Sequence, residues 1–331
     1  MDRLLNVSME VDDIFYVCKL GKNDCTDLVK RVLTEDGICF NINGLAASDI
    51  LNYNTIQREY KYSYNEHEAR NWTFTEGYTN DDVNAYPYRG QESGETPYLS
   101  LNLADLEPIK DKNCNVVYTG YKIYLHHPAD WPQAQSYYFA ALPEQVSSMA
   151  VEFSAVSTSK DLQAVALKVR QCYFPEERPL KYFKIYSYNH CRQECLTNFT
   201  YARCGCVMTY MPFHTHDKIC SSESQIYCFI RANDVFSTEG SEQLQDCRCL
   251  PACNYIQYDA DIHKTEFNYA EFHIIKLKKY YKKALGHDVD LKRVFKTITH
   301  DLKTEKLEDP PNIFHVEKLH DDITDLPLHL K

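Results

Sequence analysis

Cys172-Tyr-Phe-Pro175, Cys191-Arg-Gln-Glu-Cys195, Cys204-Gly-Cys206, Ile219-Cys220, Cys228 and Cys247-Arg-Cys249-Leu-Pro-Ala-Cys253 decide the fold of this chain. Ten of its fourteen cysteines fall in this stretch, a density that calls for a disulfide framework or a metal cluster. No two of the ten are separated by two residues, the spacing zinc sites most often use, so spacing weighs against zinc.

A ladder is physically available. Cys191, Cys195 and Phe199 recur every four residues, so on a helix they share one stripe, about 6 Å apart along the axis. Cys247 and Cys249, two apart on an extended segment, point the same way at about 6.6 Å. The spacings match, which permits two antiparallel rungs, Cys191 with Cys249 and Cys195 with Cys247. Cys172 with Cys253 would close them outside, and Cys204 with Cys228 and Cys206 with Cys220 would nest inside. Ten cysteines still allow hundreds of pairings, so spacing alone leaves the connectivity open.

These cysteines, with Met211-Pro212, Leu250-Pro251 and Tyr258 set among and after them, resemble the cysteine-rich thumb of the degenerin and epithelial (amiloride-sensitive) sodium channel family. The insect pickpocket branch also opens its thumb with a Cys-aromatic-Phe-Pro run like Cys172 to Pro175. The resemblance implies the same five pairs. It covers residues 14 to about 261, and it implies an α+β fold: an antiparallel palm-like β-sheet, a disulfide-laddered helical thumb, and polar, loop-rich finger and knuckle insertions.

Upstream, Cys18 and Cys25 bracket a polar loop and suit a local disulfide. Leu28, Val29, Val32 and Leu33 predict a short helical stripe ending before Gly37. Thr34-Glu-Asp-Gly-Ile-Cys39-Phe-Asn-Ile-Asn43 is similar to the family signature just after its finger region. In the family the cysteine matching Cys39 pairs with one close behind the first membrane helix, a partner this sequence lacks. Cys39 is therefore unpaired or bonded to the unassigned Cys114. Residues 1–44 are thus expected to start an ectodomain, and 45–97, polar and rich in Tyr and Asn, to form loops with one short strand pair. Alternation at Leu99, Leu101 and Leu103, at Tyr121, Ile123 and Leu125, at Val151, Phe153 and Ala155, and at Val165, Leu167 and Val169 predicts strands of a palm-like region over 98–171. The thumb spans 172–253 and includes a helix capped by Ser222 and Gln225. Residues 254–261 return toward the palm, and 262–331 are expected to be a divergent, poorly ordered tail. Within that tail, Phe272 to Leu285 carries five lysines and no acid, which suits a membrane-surface helix, a solvated helix or translated non-coding sequence in a faulty gene model.

Composition excludes several classes. A net charge of -11 argues against nucleic acid, which selects basic surfaces. With ten glycines there is no glycine-rich phosphate loop, no Gly-x-Ser-x-Gly elbow and no His-Glu-x-x-His helix, so neither an enzyme nor a cofactor is expected. His126-His127 reads as a turn at a strand end rather than a metal or pH site. His214 and His216 lack a third ligand nearby. Acid-gated members of the family carry an acidic pair where this sequence has Ile230 and Asp234, which puts proton gating in doubt.

Fourteen cysteines and sequons at Asn6, Asn71 and Asn198 point to the secretory route. Yet the N-terminus has no basic start followed by an apolar run, so no signal peptide is visible, and no stretch approaches 18 apolar residues. The expectation is a piece of a longer polypeptide or a truncated gene model. The resemblance implies the extracellular side of the cell membrane, other subunits of the same family as partners in a trimer, and sodium ions in the complete channel. No pore or selectivity residue is expected within the chain. The competing reading is a soluble, secreted, disulfide-rich binding or decoy protein derived from such a channel. A cytosolic zinc protein is the weaker third.

Overall fold

The computed structural model describes residues 2–57, 67–74, 77–82, 84–90, 98–104, 120–134, 137–238 and 247–267. Cys114, the lysine-rich run from Phe272 and the Pro310-Pro311 segment lie outside them. The architecture below belongs to one compact unit, Met1–Lys264.

Two short helices, α1 (Asp2–Val7) and α2 (Val11–Ile14), lead into β1 (Phe15–Leu20). Gly21, at φ 61°, turns the chain into β2 (Asn23–Asp24), and the Cys18–Cys25 disulfide closes this turn with its sulfurs buried. A 3-10 turn, Thr26–Leu28, then gives β3 (Val29–Thr34), which pairs antiparallel with β4 (Gly37–Ile42) from Val29 opposite Ile42 to Thr34 opposite Gly37. This hairpin replaces the expected helical stripe. Val29 and Leu33 lie on one face of β3 and Val32 and Thr34 on the other, and all four are buried. A strand covered on both faces presents apolar residues at helix-like intervals, which is how the pattern misleads.

The described residues of 45–97 carry α3 (Ala47–Ile50) and the strand pair β5 (Trp72–Thr73) with β6 (Gly77–Tyr78). β7 (Leu99–Leu103) pairs antiparallel with β1, Leu20 opposite Leu99 and Cys18 opposite Leu101, so β2-β1-β7 form a three-stranded sheet. β8 (Tyr121–Ile123) and β9 (Phe139–Ala141) form another antiparallel pair. At its entry Gly120 has φ 81°, and a Cβ there would sit 2.1 Å from the Ala141 carbonyl oxygen, so only glycine fits.

Two strands of 12 residues each, β10 (Gln145–Val156) and β11 (Tyr255–Glu266), make a two-stranded ribbon with mostly exposed side chains, Phe153 at 71%. The strand expected at Val165, Leu167 and Val169 does not form. That stretch is a 3-10 turn, Lys160–Ala164, followed by α4 (Leu167–Arg170), and Val169 is exposed. The Arg170 guanidinium overrides the alternation. It donates to the carbonyls of Leu162, Gln163 and Cys172, pairs with Glu177 and lies over the Phe174 ring. Coiling 160–172 around one buried cation satisfies more polar groups than a strand edge would.

The ten-cysteine stretch supplies α5 (Tyr188–Cys204) and α6 (Glu223–Thr238). One core joins the β3–β4 hairpin, α3 and Tyr86 to Trp131, Phe183, Met211 and Phe229. A smaller one gathers Tyr173, Tyr186 and Cys191.

Candidate functional site

The helix α5 is defined at both ends by local chemistry. The Ser187 hydroxyl accepts from the His190 N–H at 3.1 Å, and Gly205, at φ 67°, donates to the Tyr201 carbonyl at 2.8 Å. Its buried residues are His190, Cys191, Gln193, Cys195, Thr197 and Thr200. Leu196, partly buried, is the aliphatic residue α5 packs against the core; the fully buried positions are cysteine or polar, so cross-links and hydrogen bonds hold most of that face.

Five disulfides run along it. Cys172–Cys253 lies at one end, with Cα atoms 5.0 Å apart. Cys191–Cys249 and Cys195–Cys247 follow at 5.7 and 6.0 Å, then Cys204–Cys228 and Cys206–Cys220 at 5.8 and 5.0 Å. The segment opposite α5 is not the extended strand on which the spacing argument rests. Arg248 is left-handed at φ 50°, and Arg178 donates to the Cys247 carbonyl at 3.0 Å. The two rungs close across this turn because a single left-handed residue also brings neighbouring cysteines to the same side.

The far end of the column clasps α6. The Gln225 side chain accepts from the Ser221 and Ser222 N–H groups while the Ser222 hydroxyl accepts from Gln225, a capping box. Phe199, the third residue on the cysteine stripe, meets Phe236 with ring centroids 6.0 Å apart. Ile226 and Ile230 remain exposed on α6, which also bears Asp234. His214 is held by Asp217, whose carboxylate accepts from the His214 N–H, and no group of three metal-ligating side chains occurs among the described residues.

The near end is anchored to the ribbon. Tyr173 and Ala252 form a parallel bridge, the Cys253 N–H donates to Tyr173, and Thr158, just after β10, binds both the Cys253 carbonyl and the Asn254 side chain, just before β11. Tyr186 donates to the Leu250 carbonyl, and burial pushes its phenol up to about 12. On the flank, Glu194 accepts from the Lys181 and Tyr182 N–H groups, and burial raises its carboxyl above the usual range. Tyr182, Phe183 and Lys184 in turn bond the chain around Leu51.

A loop, 126–134, seats the helix on the β body. His190 is fully buried and stacked on Phe183 at 4.2 Å. Its Nδ1 donates to the Ile185 carbonyl at 2.8 Å, and its Nε2 accepts from the Trp131 N–H at 2.9 Å, with Asp130 Oδ1 3.9 Å away. His127 Nδ1 accepts from the Ala129 N–H, and its ring packs against Trp72 and Phe74. His126 Nδ1 bonds the His127 carbonyl. Burial holds all three imidazoles below their ordinary range. Glu35, at the β3–β4 turn, accepts from the Ala134 N–H, and Gln133 bonds Gln193. The adjacent histidines are therefore more than a turn: they and His190 organise the seat. Sequence reasoning passed over His190, Glu194, Arg170 and Arg178, which carried no motif. The position of His190 beside Cys191, three after a capping serine, was the available signal.

Cys39 is a free thiol, half-buried, with Sγ 3.1 Å from the Thr34 hydroxyl, and burial pushes its pKa up. It faces Val32 across the β3–β4 hairpin. No helix among the described residues is long and apolar enough to cross a membrane.

The family model for the amiloride-sensitive sodium channel matches residues 1–306. The chain belongs to this family. The match corrects the expected limit near Asp261, and β11 likewise runs past it to Glu266. Among curated proteins, the sodium channel family chain is 25% identical over 272 residues to pickpocket protein 28 of Drosophila melanogaster, covering 78% of this chain and 43% of that protein. It is 31% identical over 101 residues to pickpocket protein 11 of the same fly, 30% of this chain and 19% of that one. It is 26% identical over 169 residues to the sodium channel protein Nach, again from Drosophila melanogaster, 50% of this chain and 31% of Nach. The chain spans less than half the length of these relatives.

Proposed function

We propose that this chain is the extracellular part of a sodium channel subunit and that its disulfide column couples an external stimulus to gated sodium transport. The carrying observation is the column itself: five disulfides stiffen α5 and α6, one end is bonded to the β10–β11 ribbon, and the flank is seated on the β body through 126–134. A thin, polar helix face cannot keep its shape under load by burial alone, whereas cross-links hold it without a large core. In this reading residues 172–253 are the thumb, 98–171 and 254–261 belong to the palm, 1–44 begin the ectodomain and 45–97 are loop insertions. The ribbon relays movement toward membrane segments that line the pore. Family membership and similarity to pickpocket and Nach proteins support the assignment. Partners are further subunits of the same family, in a trimer by resemblance, and the permeant ion is sodium.

Orientation is tested by placing an epitope after Ser222 in the full-length gene product and labelling intact cells. Antibody binding without permeabilisation is expected. Binding only after permeabilisation would overturn the assignment.

A further inference from the structure

The three sequons sit in different backbone settings. Asn71-Trp72-Thr73 runs from a turn into β5, which begins at Trp72. Asn71 and Thr73 are both exposed, while Trp72 between them turns inward against His127, ring centroids 5.9 Å apart. Asn71 takes a left-handed conformation, φ 53°, at the start of this turn, and its carbonyl accepts from the Thr79 N–H at 3.1 Å. Its amide nitrogen donates one hydrogen to Asp82 Oδ2 at 2.8 Å.

Asn198-Phe199-Thr200 lies inside α5. On a helix residues two apart point to nearly opposite sides, so Asn198 is exposed while Thr200 is fully buried. Asn6-Val7-Ser8 is also helical at its asparagine, and Ser8 is half-buried, in contrast to the exposed Thr73.

We propose that Asn71 carries an N-linked glycan and that Asn6 and Asn198 do not; this rests on the extracellular reading above. A transferase of the secretory lumen needs the amide and the hydroxyl two residues on both reachable on a surface turn, and of the three sequons only Asn71-Trp72-Thr73 exposes both residues. In the transfer, the anomeric carbon of a lipid-linked oligosaccharide diphosphate breaks its bond to the diphosphate oxygen, which leaves with the electron pair. That carbon bonds Asn71 Nδ2, which gives up one of its two hydrogens as a proton. At Asn198, helix formation beside Cys195 withdraws the threonine hydroxyl from any transferase.

The test expresses residues 1–331 behind a cleavable leader in animal cells and analyses total lysate, so secretion is not required. Glycosidase treatment is followed by glycopeptide mass spectrometry. A single glycan step is expected, with Asn71 occupied. Asn71→Gln and Thr73→Ala should both migrate as the deglycosylated protein, while Asn198→Gln and Asn6→Gln keep the step. An unmodified Asn71, or a glycan on Asn198 or Asn6, would overturn the inference. The leader delivers the chain to the lumen whatever its native topology. A glycan found with the leader but missing from the natively expressed full-length protein would therefore count against the extracellular assignment alone.

Discussion

The Nε2 of His190 accepts the Trp131 N–H at 2.9 Å, which fixes a buried imidazole as its neutral Nδ1–H tautomer. Protonation would put a hydrogen where an N–H already points, and only Asp130, 3.9 Å away, could receive it. Burial depresses the folded pKa, so below ~6.5 the unfolded chain binds the proton first. Stability is then full above ~6.5 and is lost as pH falls through that value toward the folded pKa. Thermal midpoints should drop between about pH 7.5 and about pH 5.5. His190→Gln should lower the midpoint at the upper pH yet flatten the slope, leaving what His126 and His127 contribute. Equal slopes in both proteins would count against His190.

The two central rungs should prove redundant. With Cys191–Cys249 intact, Cys195–Cys247 closes only a small ring, worth about 2–3 kcal/mol in the chain-entropy model, against about 4 kcal/mol when it closes its full loop alone. The pair Cys195→Ser and Cys247→Ser should cost about 2–3 kcal/mol, and removing both rungs more than twice that. Urea denaturation of the non-reduced protein measures it.

Arg170 should resist conservative replacement. Its side chain is 4% exposed and serves three carbonyls and one carboxylate. Lysine keeps the charge but not the planar fork, so Arg170→Lys should destabilise by about 2 kcal/mol and Arg170→Ala by about 3 kcal/mol or more. Denaturant midpoints would reveal the order, and a neutral Arg170→Lys would remove the guanidinium from the account of α4.

The Thr200 hydroxyl is buried with no hydrogen-bond partner. Valine has the same shape without the unmet polar atom, so Thr200→Val should stabilise by about 1 kcal/mol, a sign opposite to most buried substitutions. Calorimetry decides it.

The sequence disclosed the column better than the body. Four-residue cysteine steps forecast the stripe of α5, and Ser222 with Gln225 forecast the start of α6, because these signals are local. Val29 to Leu33 misled because β3 is covered on both faces, a tertiary fact that mimics helical periodicity. Val165 to Val169 misled because the alternation is outweighed by one buried guanidinium whose acceptors lie up to eight residues upstream. The turn at Arg248 carries no glycine to mark its left-handed backbone. His190 offered only its place beside Cys191, because its partner, Trp131, lies far away in sequence.

The most direct test of the column's role in sodium transport is electrical. Residues 14–266 would replace the matching region of full-length pickpocket protein 28, with sodium current recorded at equal surface expression. The account predicts a sodium-dependent current that falls when Cys191, Cys195, Cys247 and Cys249 are all changed to serine. A chimaera that reaches the surface without sodium current, or whose current is unaltered by loss of both central rungs, would contradict it.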